Sequence, residues 1–182
     1  MPKDNRSSRA PSSRSSPDFE IRPVHPEEVA RAGELTVSAY LNPPAIDDAP
    51  RDFGVYLDEL RDVRSRAREA VVLVALSKGA LSGSVTYVPT AGGRYAEFQD
   101  PAAAGIRMLA VAPEARGRGV GAALVRECLA RARADERQRV ILHTTHWMHA
   151  AHRLYEELGF SRRAELDMDL PEVYLVAYGL EL

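Results

Sequence analysis

Hydrophobic and polar residues alternate over Phe19-Glu-Ile-Arg-Pro-Val24, the period-2 pattern of a first strand. Pro26-Glu-Glu28 then opens a helix reaching about Leu41, with proline early, acids in the first turn, and Asn42-Pro-Pro44 as its stop. A second helix is predicted from Asp52 to about Arg68, where Phe53, Tyr56, Leu57, Leu60 and Val63 share one face. Strands over 70–77 and 81–88 form a hairpin through Lys78-Gly79-Ala80. After a Gly-, Pro- and Ala-rich loop over 89–104, residues 106–112 show little alternation, as in a strand buried on both faces. The helix over 119–134 puts Leu124, Val125, Cys128, Leu129 and Ala132 on a buried stripe and Arg126, Glu127, Arg131 and Arg133 toward water. A strand over 139–144, a helix over 147–158 and strands over 160–166 and 173–180 complete the order. This succession predicts one α/β domain over 18–182, a mixed, mostly antiparallel sheet flanked by helices.

Residues 1–17 are Ser, Arg and Pro with almost no apolar side chain, a composition expected of a disordered tail. Lys3, Arg6, Arg9 and Arg14 against Asp4 give that tail +3 of a formal net −2, which leaves −5 for the body. A mildly acidic body argues against a nucleic-acid partner, because phosphate neutralisation requires clustered positive charge. The lone Cys128 forms no internal disulfide, and no Cys/His spacing resembles a structural zinc site. No apolar run approaches the roughly 20 residues of a membrane span, and the N-terminus lacks the apolar stretch of a secretory signal. A cytoplasmic protein without a membrane partner is expected, and assembly as a homodimer stays open.

The chemistry is concentrated in Arg116-Gly-Arg-Gly-Val-Gly121, between a buried strand and a helix. Three glycines in five positions let the backbone approach a ligand without β-carbons in the way. Free amides and the positive end of the helix dipole then make an anion site, and a pyrophosphate fits a row of such amides. Arg116 and Arg118 add charge there. Gly117-x-Gly119-x-x-Ala122 also satisfies a dinucleotide-binding spacing. Against that reading, Pro113-Glu-Ala-Arg116 separates strand from glycine, and the next strand does not end in the acid that would hold a ribose. No Gly-Lys-Ser/Thr follows, which excludes a phosphate-loop nucleotidase.

These residues resemble the signature of the GNAT superfamily of acyl-CoA-dependent N-acyltransferases, Arg/Gln-x-x-Gly-x-Gly/Ala after a strand ending in Val-x-Pro. Here the matching positions are Arg116, Gly119 and Gly121 after Val111-Ala-Pro113. A second segment, Ala151-His-Arg-Leu-Tyr-Glu-Glu-Leu-Gly-Phe160, is similar to the family's later helix, in which Tyr precedes a Leu-Gly-Phe end. The resemblance implies acetyl-CoA as co-substrate and a small-molecule or peptide amine as acceptor. It implies backbone contacts of Leu109, Ala110 and Val111 with the pantetheine arm, and of Gly117, Arg118, Gly119, Val120, Gly121 and Ala122 with the pyrophosphate. It also implies a sheet splayed between its fourth and fifth strands.

Tyr155 lies on the stripe Ala151, Leu154, Tyr155, Leu158, and periodicity alone makes it a core tyrosine. The resemblance implies more, that its phenol protonates the departing thiolate. Many members have a Glu just before the Ile-Arg-Met-Leu-Ala-Val strand, where this chain has Gly105, and an Asn where it has Met148. Glu97 in the preceding loop is a substitute base acting through water, or else a solvated loop carboxylate. His143, His146, His149 and His152 invite a metal reading, but His146 precedes the helix and the transfer requires none. One of His149 and His152 is instead a candidate proton relay. Cys128, on a buried stripe, reads as an inert core thiol.

Overall fold

The computed structural model describes residues 19–43, 54, 56–171 and 173–182. The tail expected over 1–17, Phe53 and the proline stop beyond Pro43 therefore lie outside the described residues.

Strand β1 (Glu20–Pro23) leads through a 3-10 turn at Pro26–Glu28 into α1 (Val29–Leu41). Helices α2 (Tyr56–Arg61) and α3 (Val63–Glu69) precede the hairpin of β2 (Val71–Ser77) and β3 (Ala80–Val88). Strand β4 (Ala103–Val111), a 3-10 turn at Pro113–Ala115, α4 (Val120–Ala134), β5 (Arg139–Thr145) and α5 (His149–Glu157) follow. Short β6 (Ser161–Arg162) and β7 (Met168–Leu170) lead into β8 (Val173–Glu181). The eight strands form one sheet in the order β1-β2-β3-β4-β5-β8-β6, with β7 also on β8. Among the described residues every pairing is antiparallel except β4 with β5, whose parallel alignment requires the crossover that α4 supplies.

The predicted stripe of α4 is the buried one: Leu124, Val125, Cys128, Leu129 and Ala132 pack with Leu73, Val85, Ile106 and Leu142 of the sheet. The hydroxyl of Tyr87 donates to Asp135 at 2.7 Å and ties β3 to the end of that helix. On the opposite face α1 and α3 cover β2 and β3, and Ala32 and Val63 pack with Val72 and Val74. Thr36 donates to Ala32 O at 2.8 Å, so Ser84 is the donor in the 2.9 Å bond between their hydroxyls. Gly33 lets α2 approach, since a β-carbon there would stand 2.3 Å from Arg61 O.

Two predicted elements take another form, and β7 is a strand beyond those expected. The single helix over 52–68 is two helices, broken at Asp62, whose carboxylate caps α3 by accepting the Ser65 amide at 3.0 Å. Arg66, 1% exposed, donates through one nitrogen to the carbonyls of Glu59 and Leu60 at the end of α2. Both ends at the break are thus satisfied, and an unbroken helix gains nothing there. The strand expected over 160–166 is only β6, followed by a 3-10 turn at Ala164–Leu166. Asp167 causes the turn: it pairs with Arg162, accepts the Ala177 amide at 2.9 Å and accepts the Tyr174 hydroxyl at 2.7 Å.

Candidate active site

The parallel register of β4 and β5 runs from Ala103 with Arg139 to Ile106 with Leu142 and stops. Beyond it the edge of β4 that faces β5 has no strand partner among the described residues from Arg107 to Val111, so the sheet is splayed between its fourth and fifth strands. A bulge accompanies the opening. Ser84 pairs with Ala110 and Thr86 with Arg107, so β4 carries one residue more than β3 between them, and Met108 takes φ +52°. Past the bulge Ala110 is buried, whereas Leu109 and Val111 are half-buried and approach the first turn of α4.

The glycine loop continues from this free edge. Gly117 and Gly119 have φ of +71° and +84°, the left-handed region that favours glycine, and Gly119 is the N-cap residue of α4. Ala123 N makes the first helical bond, to Gly119 O at 2.9 Å, so the amides of Val120, Gly121 and Ala122 lie ahead of the helix's own ladder. Val120 is buried and anchors the turn, Ala122 is half-buried, and Arg118 is exposed. A β-carbon on Gly121 would meet Leu154 of α5 at 3.3 Å. Arg116 is placed differently from Arg118: its guanidinium donates to Ala39 O at 3.2 Å and Val111 O at 3.4 Å, fastening the loop to α1 and β4. The loop thus suits an anion through its amides, with Arg118 as the exposed cation beside it.

Three residues that the sequence keeps apart meet where the strands separate. Arg107 and His143 are the first positions of β4 and β5 beyond the register that joins these two strands, and the carboxylate of Glu97 spans them. Its Oε1 lies 2.5 Å from an Arg107 nitrogen and its Oε2 3.4 Å from His143 Nδ1. The side chains of Glu97, Arg107 and His143 are 18%, 13% and 2% exposed, so Glu97 is no solvated loop carboxylate. Its neighbour Phe98 packs with Val88, Ala103 and Ile141, and its ring stands 2.6 Å from where a β-carbon on Gly105 would be. The position at which the resemblance expects a carboxylate is filled by that ring. Tyr40 of α1 and Tyr56 of α2, edge to face at 6.1 Å, both feel Glu97 and Arg107; burial raises both phenols above their ordinary range.

Tyr155 is 5% exposed, with its ring 5.9 Å from that of Phe160 and 6.2 Å from that of Tyr178. Burial pushes its phenol far above the usual range, so it stays protonated at neutral pH and keeps a proton to donate. His152 Nε2 donates to Thr145 O at 2.8 Å, and its Nδ1 lies 2.9 Å from the Tyr178 hydroxyl, whose single hydrogen is within reach of either Nδ1 or, at 3.1 Å, the Glu156 carboxylate. His146 packs edge-on against Trp147, and among the described residues no three of His, Cys, Asp and Glu converge as metal ligands do. Cys128 is fully buried and its thiol is pushed well above its ordinary range, which keeps it unreactive. A groove of about 480 Å³ beside α1, lined by Arg31, Leu35, Leu81 and Glu114, lies outside this arrangement and shares none of its residues. Sequence reasoning missed that Arg107 and His143 meet at Glu97; an arginine inside an otherwise apolar strand was the available signal.

A strand edge opened beside a parallel neighbour leads into a glycine-lined helix N-terminus in this α/β protein, an arrangement suited to an extended ligand with an anionic segment. The chain belongs to the acetyltransferase (GNAT) family, whose model matches residues 34–160. Its fold is similar to that of yncA from Salmonella typhimurium, solved with acetyl-CoA (21% identity, TM-score 0.66, 90% of this chain and 94% of that one). It is similar also to a GNAT-family acetyltransferase of Staphylococcus aureus (13%, TM-score 0.70, 90% and 99%). A third similar fold is the ribosomal-protein-alanine N-acetyltransferase of Brucella melitensis (21%, TM-score 0.65, 90% and 99%). No curated protein matches the sequence. Among the described residues no helix is long and apolar enough to cross a membrane.

Proposed function

We propose that the protein moves the acetyl group of acetyl-CoA directly to a primary amine on a small molecule or peptide. The observation that carries this reading is the continuity of the free β4 edge with the first turn of α4. Along it, the backbone of Leu109, Ala110 and Val111 pairs with the pantetheine arm, and the amides of Gly117 to Ala122 take the pyrophosphate. Acetyl-CoA supplies the thioester carbon that the amine attacks. Backbone N–H groups at the splay hold the charge that develops on the thioester oxygen, and Tyr155 gives its proton to the sulfur. Calorimetry with acetyl-CoA and a thiol-release assay over peptide N-termini, polyamines and aminoglycosides test the reading; absence of acetyl-CoA binding overturns it. Gly105 under the Phe98 ring favours a second reading, a non-catalytic acyl-CoA-binding domain, which predicts binding without thiol release for any amine.

A further inference from the structure

An amine acceptor arrives as an ammonium and must lose a proton before its nitrogen can attack a carbonyl. The splay of β4 and β5 holds a group suited to receive it. Arg107 pairs with Thr86, beside Ser84, whose hydroxyl bonds to Thr36 of α1, so Arg107 lies on the face covered by α1 and α2. Glu97 reaches that face from the β3–β4 loop. Two contacts fix it there: the guanidinium of Arg107 holds Oε1, and Phe98 seats the loop against the strand over Gly105. Its Oε2 is left pointing at His143 Nδ1.

The imidazole is oriented by its other nitrogen. His143 Nε2 lies 2.9 Å from Leu166 O, and a carbonyl only accepts, so Nε2 carries the hydrogen. In the neutral ring Nδ1 then presents a lone pair toward a carboxylate oxygen, an arrangement that one added proton converts from repulsion to a charge-assisted bond. His143 itself is sealed from solvent, whereas Glu97 retains some exposure, so a proton enters through Glu97.

We propose that Glu97 takes the proton of the acceptor ammonium and passes it to His143 Nδ1, with Arg107 as the positioning residue. This rests on the acetyl-transfer reading. The ammonium loses one proton to Glu97 and so to His143; the neutral nitrogen bonds to the thioester carbon as the carbon–sulfur bond breaks. The sulfur takes the Tyr155 proton, and the second nitrogen proton, lost as the amide forms, restores the phenol. The products are amide, thiol and the one proton that His143 returns to solvent through Glu97. The charged and titratable groups around the pair are Arg107 on β4, Tyr40 on α1, Tyr56 on α2, and Arg162 with Asp167 beside Leu166.

The test compares wild type with Glu97→Gln, Glu97→Ala, His143→Gln and Tyr155→Phe. Acetyl-CoA affinity is measured by calorimetry and turnover by thiol release with an alanyl peptide, spermidine and kanamycin. Glu97→Gln is expected to keep acetyl-CoA affinity within about twofold and to lose about 10²-fold or more in kcat, the usual worth of a positioned base. Formate should restore turnover in Glu97→Ala and leave Tyr155→Phe unchanged. Independently of any acceptor, imidazole 15N NMR of wild type at alkaline pH should show His143 as the Nε2–H tautomer, with an Nδ1 resonance that moves in Glu97→Gln. Retained kcat in Glu97→Gln, no rescue by formate, or an Nδ1–H tautomer overturns the assignment. Binding without turnover by wild type with every amine sinks the transfer reading instead, and with it this step.

Discussion

The ring of Phe98 rests on Gly105, with its Cε1 2.6 Å from where a β-carbon would stand. Ile141 of β5 is paired with Gly105 and packs on the same ring, so a loop, two strands and a missing side chain form one joint beside Glu97. Gly105→Ala forces the ring to shift. Overpacking of this kind costs about 1–3 kcal/mol, and the shift moves Glu97 with the loop. A lowered melting temperature and a kcat reduced beyond the loss of folded protein are expected, with acetyl-CoA affinity kept. Unchanged kcat in a folded Gly105→Ala protein would show that the joint does not govern Glu97.

The proposed cofactor loop favours glycine for two separate reasons. At Gly119 space is open and the constraint is φ of +84°; at Gly121 the backbone is helical and the constraint is Leu154 at 3.3 Å. Gly119→Val strains the N-cap position and should misdirect the amides of Val120 to Ala122, lowering acetyl-CoA affinity at least about tenfold, or ~1.4 kcal/mol. Gly121→Val should weaken binding by pushing on α5. Calorimetry on folded variants checks both, and wild-type affinity in either removes that glycine from the site.

Arg22 beside Glu28, with the His25 amide on the same carboxylate, holds the Glu28 carboxyl down to about 2. A depressed carboxyl stabilises the fold above its unfolded value, about 4.3, and that contribution is lost as the pH falls from there toward 2. Glu28→Gln should therefore melt below wild type at pH 7, with the gap narrowing at pH 3. A gap of equal size at both values would mean that the ion pair contributes nothing through ionisation.

What the sequence made legible was local. The stripe of α4 and the glycine run at its start depend on neighbours within a turn, and both stand where periodicity put them. The break at Asp62 depends on Arg66 capping α2, and the turn after β6 on Asp167 reaching Ala177, so each escaped a period count. The Glu97, Arg107 and His143 cluster was further from reach, because it exists only where the β4–β5 register ends. Four histidines near one helix invited a metal reading that the sequence argument set aside, and packing gives them different neighbours: His143 faces Glu97, His146 packs on Trp147, the His149 ring lies 6.3 Å from that of His152, and His152 bonds to Thr145 O.

The composition of residues 1–17 predicts a segment without a core of its own. Its deletion should leave melting temperature and acetyl-CoA affinity unchanged. A marked loss of either would assign the segment a contact with the body.

Tyr155 separates a packing role from a chemical one. Its ring belongs to the core cluster with Phe160 and Tyr178, so Tyr155→Phe keeps the packing and removes a single proton. As the acid that serves the sulfur, the phenol must be protonated throughout the working range, and burial secures this by raising it far above its ordinary value. The rate profile should therefore show no alkaline limb from Tyr155 below about pH 10, the ordinary phenol value. Loss of a positioned acid lowers turnover by about 10²- to 10⁴-fold, while acetyl-CoA affinity and melting temperature should barely move. A purely structural tyrosine gives the opposite pattern, because removing a buried hydroxyl alters stability and leaves catalysis intact in whatever remains folded. Melting temperature and kcat measured on one preparation of Tyr155→Phe distinguish the two. Near-normal kcat would pass the proton to water or to His152, whose Nδ1 already faces the Tyr178 hydroxyl at 2.9 Å.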